Sequence, residues 1–173
     1  MNTHDAFEVA FARLFDERFV SLFRYLDRLS GDPDLAEDLA QEAFVRLHRR
    51  RQIPDDARAW LAAVASNLFR DERRRARRRQ NLLARQPADL TLSSPPALPN
   101  DAVEREERNT LVRHALDRLA LRDREMLLLR HEGYSYREIA IALGVAETSV
   151  GTMLIRATDA FKAEFMENSR APD

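Results

Sequence analysis

Apolar residues recur through the first thirty positions at Phe7, Phe11, Leu14, Phe15, Val20, Leu22, Phe23, Leu26 and Leu29. Most steps between them suit a helix with one broad buried face. Gly31-Asp32-Pro33 breaks the run. Asp32 has the short acceptor side chain an N-cap needs, and Pro33 suits the first helical position, where an N–H would be unpaired anyway. A second helix is predicted over 33–50, burying Leu35, Leu39, Ala43, Phe44 and Leu47. A loop around 51–55 holds Pro54. A third helix follows from about Asp56, with Trp60, Leu61, Val64, Ala65, Leu68 and Phe69 inward.

The pattern then lapses. Residues 80–103 (QNLLARQPADLTLSSPPALPNDAV) carry Pro87, Pro95, Pro96 and Pro99, four of the chain's seven prolines. Such a segment favours an extended tether; a flexible coil of its length spans roughly 27 Å. The helical period returns at Leu111, Val112, Ala115, Leu116 and Leu119, and again at Met126, Leu127 and Leu129. Ser135 with Glu138 three residues on has the spacing of a capping box. A short helix from there ends at Gly144, and a longer one is predicted from about Glu147 to Met166. A short helix, a tight glycine-containing turn and a longer helix make a helix-turn-helix. The expected fold is all-α: two small helical domains, 1–80 and 104–173, joined by a Pro-rich linker at 81–103, the second domain a helix-turn-helix.

Charge sharpens this picture. The 173 residues carry a formal net charge of −1, yet residues 70–85 alone carry +6, every cation among them arginine, and Lys162 is the only lysine in the chain. The cluster continues the amphipathic third helix, which favours a nucleic-acid surface, since ordered guanidinium groups can meet successive phosphates. With no cysteine, disulfides are impossible and a cytoplasmic protein is permitted. No apolar stretch approaches the ~18 residues of a membrane helix, and MNTHDAFEVAF lacks a basic start followed by an apolar run, so neither membrane insertion nor secretion is expected. His4, His48, His114 and His131 are scattered, and there is no glycine-rich phosphate loop. No catalytic, metal or cofactor role is therefore expected.

Three segments remain as candidates. The helix after Gly144 would lie in a DNA major groove with Ser149, Thr152, Ile155 and Arg156 outward. Tyr136 and Arg137 would hold phosphates at the start of the preceding helix. The alternative is a three-helix core that touches only protein. The Arg70–Arg79 run is either a solvated face or a nucleic-acid surface. The acidic segment 34–42 either complements its own helix N-terminus or docks a basic partner helix.

Taken together, AEDLAQEAFVRLHR (36–49), AWLAAVASNLFRDERRR (59–75) and GYSYREIAIALGVAETSVGTMLIRA (133–157) resemble the bacterial extracytoplasmic-function (ECF) sigma factors of the sigma-70 family. The motif order, the Pro-rich tether and the total length agree with that family. The resemblance implies a non-catalytic initiation factor that binds core RNA polymerase, recognises promoter −10 and −35 elements and assists melting. Asp38, Gln41 and Glu42 would dock on the polymerase. Trp60, Asn67, Arg70, Arg73, Arg74 and Arg77 would meet the −10 element, with the 51–56 loop pocketing a flipped base. Tyr136, Arg137, Ser149, Thr152 and Arg156 would meet the −35 element. An anti-sigma partner is also implied. The competing reading is a conventional dimeric helix-turn-helix regulator, which leaves the acidic helix unexplained.

Overall fold

The computed structural model describes residues 3–83 and 100–168. The proline-bearing part of the expected linker lies outside the described residues. Among these described residues seven helices follow in order: α1 (Thr3–Ser30), α2 (Pro33–Arg50), α3 (Ala57–Leu83), α4 (Asn100–Arg118), α5 (Leu121–His131), α6 (Tyr136–Leu143) and α7 (Glu147–Asn168). No strand occurs among the described residues.

The local signals work as their chemistry requires. The Asp32 carboxylate accepts from the backbone N–H groups of Asp34 and Leu35, both at 3.1 Å, with Pro33 in the first turn of α2. Arg51 closes α2 with φ 56°, a left-handed conformation more usual for glycine. Ser135 and Glu138 form both halves of the capping box at the start of α6. Gly144 ends α6 in the left-handed region, φ 64°, and α6 and α7 meet at 91°.

In the first half, α1, α2 and α3 bury Leu22, Leu26, Leu29, Leu39, Phe44, Leu47, Leu61 and Phe69. The expected inward position of Val20 does not hold: the residue is 58% exposed. Instead Tyr25, at a position outside the predicted apolar set, is wholly buried, its hydroxyl 2.8 Å from Ser66 Oγ. Pairing the hydroxyl lets its apolar ring serve as core. In the second half, Ile139, Leu143, Val150 and Leu154 form the wedge of the helix-turn-helix.

The two halves are in contact. α6 lies along α3 and α5 against α1, and the buried apolar residues of both halves join one cluster. α5 is therefore covered on several sides, with Arg124, Glu125, Met126, Leu128 and Leu129 all buried. No single helix among the described residues is long and apolar enough to cross a membrane.

Candidate nucleic-acid interface

On α2, Asp38, Gln41, Glu42 and Val45 follow one another at i, i+3, i+4 and i+7, so they share a face. Asp38 and Gln41 are exposed and Glu42 is half-buried. Gln41 Nε2 donates to Glu37 at 3.0 Å, and Arg46 Nε donates to Glu42 at 2.9 Å. Sequence reasoning missed the apolar neighbour of this acidic stripe. Val45 is 40% exposed, and an open, mainly apolar groove beside it is lined by Phe11, Phe15, Gln41, Phe44, Val45 and His48. The phenylalanines fit the core period, so only the outward Val45, four residues past Gln41, signals that this face is not purely polar.

The arginine-bearing helix is divided by its own geometry. Trp60 is half-buried beneath the Arg50 guanidinium, 5.9 Å from the ring centre. Asn67 is exposed and accepts from Arg70 Nη1 at 3.2 Å. Arg70, Arg73, Arg74 and Arg77 line a cleft of about 500 Å³ whose other wall, at Asp117, Leu119 and Arg124, belongs to the second half. Arg74 and Arg77 are exposed there, whereas Arg70 and Arg73 are half-buried. Burial, together with the Arg124 and Arg77 charges, pushes the Arg73 guanidinium below its ordinary value. Within the cleft Arg124 pairs with Asp117, Arg74 with Asp71 at 3.7 Å and Arg70 with Glu125, so part of its positive charge is offset from inside the chain.

Arg70 is already engaged. Its Nη2 lies 2.7 Å from Glu125 Oε2, and the Glu125 side chain is 1% exposed. Burial raises the Glu125 carboxyl above its ordinary value, against the opposing pull of the Arg70 hydrogen bond and charge. Nearer the start of α3, Arg58 Nη2 donates to the Glu132 carbonyl at 2.8 Å and Nη1 to the Gly133 carbonyl at 3.1 Å. The same guanidinium sits 3.9 Å over the Tyr134 ring and 3.3 Å from the Glu138 carboxylate. Burial pushes the Tyr134 hydroxyl up to about 12, while the nearby Arg58 charge pulls the other way. Residue spacing held no signal for Arg58, Glu125 or Glu132; only the fold brings them together.

The second expected surface is open. Ser149, Thr152 and Arg156 are exposed along one side of α7, and Ile155 beside them is 64% exposed. Tyr136 is partly covered by Arg130, whose guanidinium is 5.5 Å from the ring centre. Gly151 fits against that ring: a Cβ there would stand 3.5 Å from Tyr136 Cε2. Arg137 is exposed, 4.0 Å from Asp56 in the loop before α3. Among the described residues no group of three or more His, Asp or Glu is placed to hold a metal ion.

Known proteins match this arrangement. The sigma-70 region 2 profile covers residues 4–79 and the sigma-70 region 4 profile residues 110–159. The ECF RNA polymerase sigma factor SigL of Mycobacterium tuberculosis is 35% identical over 94% of this chain and 93% of its own length. The RNA polymerase sigma-E factor of Streptomyces coelicolor is 33% identical over 84% and 80%. Two solved structures share the fold. The sigma factor RpoE in complex with the anti-sigma factor NepR, from Bartonella quintana, has a TM-score of 0.68 at 20% identity, covering 91% of this chain and 97% of its own. CnrH in complex with the cytosolic domain of CnrY has a TM-score of 0.67 at 21% identity, covering 98% and 94%. Two sigma-70 regions in order, and a relative of this identity over nearly the whole length, make the chain a member of the ECF RNA polymerase sigma factors.

Proposed function

We propose that the chain is a non-catalytic initiation factor that brings core RNA polymerase to promoters, with residues 1–80 and 104–173 as working domains on a tether at 81–103. The acidic stripe Asp38, Gln41 and Glu42 meets a basic surface of the polymerase, and the Val45 groove beside it adds apolar contact. Trp60 and Asn67 face the −10 element, while Arg70, Arg73, Arg74 and Arg77 neutralise phosphates around it. The energy of unstacking a flipped base, a few kcal/mol, is offset by such backbone contacts and by a pocket at the 51–56 loop. Ser149, Thr152 and Arg156 read the −35 element, with Tyr136 and Arg137 near the backbone. The factor works in the cytoplasm beside the polymerase, and an anti-sigma protein is its expected antagonist.

The observation that best supports this reading is the co-occurrence of an exposed acidic helix, an arginine-lined cleft and an exposed recognition face, in the family's order. A conventional operator-binding dimer accounts for the last of these only. The test is run-off transcription with purified core polymerase on a library of promoter fragments. Specific transcripts that need the added chain are expected. No retention on core polymerase, combined with tight salt-resistant binding of the isolated chain to duplex DNA, would replace this reading with the operator-binding one.

A further inference from the structure

The cleft of about 500 Å³ between α3 and the start of α5 holds more positive charge than the chain itself neutralises. Arg70 is taken by Glu125, Arg74 by Asp71 and Arg124 Nη1 by Asp117. Arg73 and Arg77 line the same cleft and have no carboxylate partner among the described residues. The Arg73 guanidinium stands 6.0 Å from the Phe69 ring instead, half-buried. Burial and the nearby Arg124 and Arg77 charges hold it below its ordinary value, and an anion beside it would offset them.

The facing wall adds donors of its own. The helix α5 is 11 residues long and begins at Leu121 without a side-chain cap, its N-cap residue being Ala120. Both Ala120 and Leu121 line the cleft. The positive end of the helix dipole and the first-turn N–H groups therefore stand at it, an arrangement suited to phosphate. One turn further on, Arg124 also lines the cleft, with its side chain only 9% exposed. Its Nε is buried without a hydrogen-bond partner. A buried donor left unpaired is costly, and a ligand oxygen removes that cost.

These features select the class of ligand. Arg73 and Arg77 stand one turn apart on one side of α3, and a guanidinium fork matches two oxygens of a phosphate. Two forks and a helix end in series suit linked phosphates better than a single one. The cleft volume falls within the ~300–1,000 Å³ of ordinary small-ligand sites, so the guest is a small molecule. Leu119 and Leu121 supply an apolar edge against which a nucleobase can pack.

We propose that this cleft binds a linear polyphosphate, free or carried by a nucleotide, its phosphate groups held between Arg73, Arg77 and the N-terminus of α5, with Arg124 Nε as a further donor. This goes beyond the initiation role. In that role Arg73 and Arg77 face −10 phosphates, so the small anion and the promoter compete for the same guanidinium groups.

The test is calorimetric titration of the free full-length chain, in buffer without magnesium, with inorganic tripolyphosphate, ATP, AMP and citrate. Tripolyphosphate and ATP should bind at one per chain, and AMP and citrate at least tenfold more weakly. No binding of tripolyphosphate and ATP, or equally tight binding of AMP or citrate, overturns the proposal. ATP binding at least tenfold tighter than tripolyphosphate assigns the apolar edge to the base; equal affinities assign the site to the phosphate chain alone, and both uphold it. Arg77→Gln should weaken tripolyphosphate binding at least tenfold. Arg78→Gln, the same charge change at an exposed position of α3 outside the cleft, should weaken it less than about twofold. Equal losses would make the attraction one of net charge and refute the site. Ala120→Asp sets a carboxylate at the cleft and gives α5 the N-cap it lacks, so the fold is kept while binding should be lost. Unchanged binding by that variant also overturns the proposal. Polymerase and promoter are absent from these titrations, so their failure leaves the initiation role standing, and failure of run-off transcription leaves the anion site standing.

Discussion

The arginine face of α3 and the outward face of α7 belong to one DNA-binding protein, yet they are built differently. On α3, Arg70 and Arg73 are half-buried and Arg70 is paired with a carboxylate from the other half of the molecule. On α7, Ser149, Thr152 and Arg156 stand exposed. One face is dense in charge and coupled to the packing of the whole chain. The other is sparse in charge and uncoupled, and in the proposed reading makes short-range contacts with base edges. Charge density governs binding to any sequence, and side-chain geometry governs the choice of sequence. The two faces should therefore fail in different ways.

The largest expected effect removes the partner on which the coupled face depends. Asp38→Arg with Glu42→Arg turns the acidic stripe of α2 basic, so like charges meet on docking. Retention on core polymerase should be lost, with the circular dichroism spectrum unchanged because Asp38 is exposed and Glu42 half-buried. Unaltered retention would move the docking site elsewhere. Next in size, Arg74→Ala with Arg77→Ala should weaken promoter complexes of the holoenzyme across many sequences. The slope of log affinity against log salt should fall by about 0.9 for each phosphate that is no longer neutralised. A defect confined to particular −10 sequences would mean that these arginines read bases.

Much of this is legible in the sequence alone, and the reasons are local. Asp32-Pro33, the Ser135/Glu138 pair and Gly144 act within one turn of helix, so their consequences are written in adjacent residues. Of the three segments that resemble sigma factors, two lie on single helices, α2 and α3, and the third on the adjacent pair α6 and α7. Val20 and Tyr25 depart from expectation because helical period fixes a face but not how far burial extends around it: α1 turns Val20 to solvent and Tyr25 to Ser66. The contact between the halves is illegible for a stronger reason. Glu125 stands in a run with Met126, Leu127, Leu128 and Leu129, and no spacing rule says that its partner is Arg70, 55 positions away.

A middle-sized effect tests the uncoupled face. Arg156 follows Thr152 by one turn, so both project from the same side. Arg156→Ala should cost ~1–3 kcal/mol at one base position and relax preference there. The measurement is promoter-complex formation by holoenzyme against libraries randomised separately in the −10 and −35 elements. A change confined to the −10 library would reverse the assignment of faces to elements. No change in either library would make α7 a polymerase-facing helix instead of a base reader.

The smallest effect separates the two faces by stability, through the acid that serves both a cap and the contact between the halves. Burial pushes the Glu138 carboxyl up, but the Ser135 backbone N–H and hydroxyl and the Arg58 charge outweigh it and hold the group below its ordinary value. A carboxyl lowered in the folded state binds fewer protons there than in the unfolded chain. Its stabilising contribution is complete above the ordinary carboxylate range and fades as pH falls through the lowered value. Glu138→Gln should therefore cost about 1 kcal/mol near neutral pH, from one weakened capping bond and one missing charge at Arg58. The gap between variant and parent should close on acidification. Asp32→Ala, which removes the cap of α2 and no hydrogen bond of Arg58 or Glu138, should cost a similar ~1 kcal/mol but leave the distance between the halves unchanged. Urea titrations of both variants at neutral and acidic pH, paired with the distance between spin labels placed through Val20→Cys on α1 and Met166→Cys on α7, both exposed positions, separate the cases. If Glu138→Gln lost stability but kept the closed distance, the carboxylate would be only a cap, and Arg58 would hold the halves together through the Glu132 and Gly133 carbonyls alone.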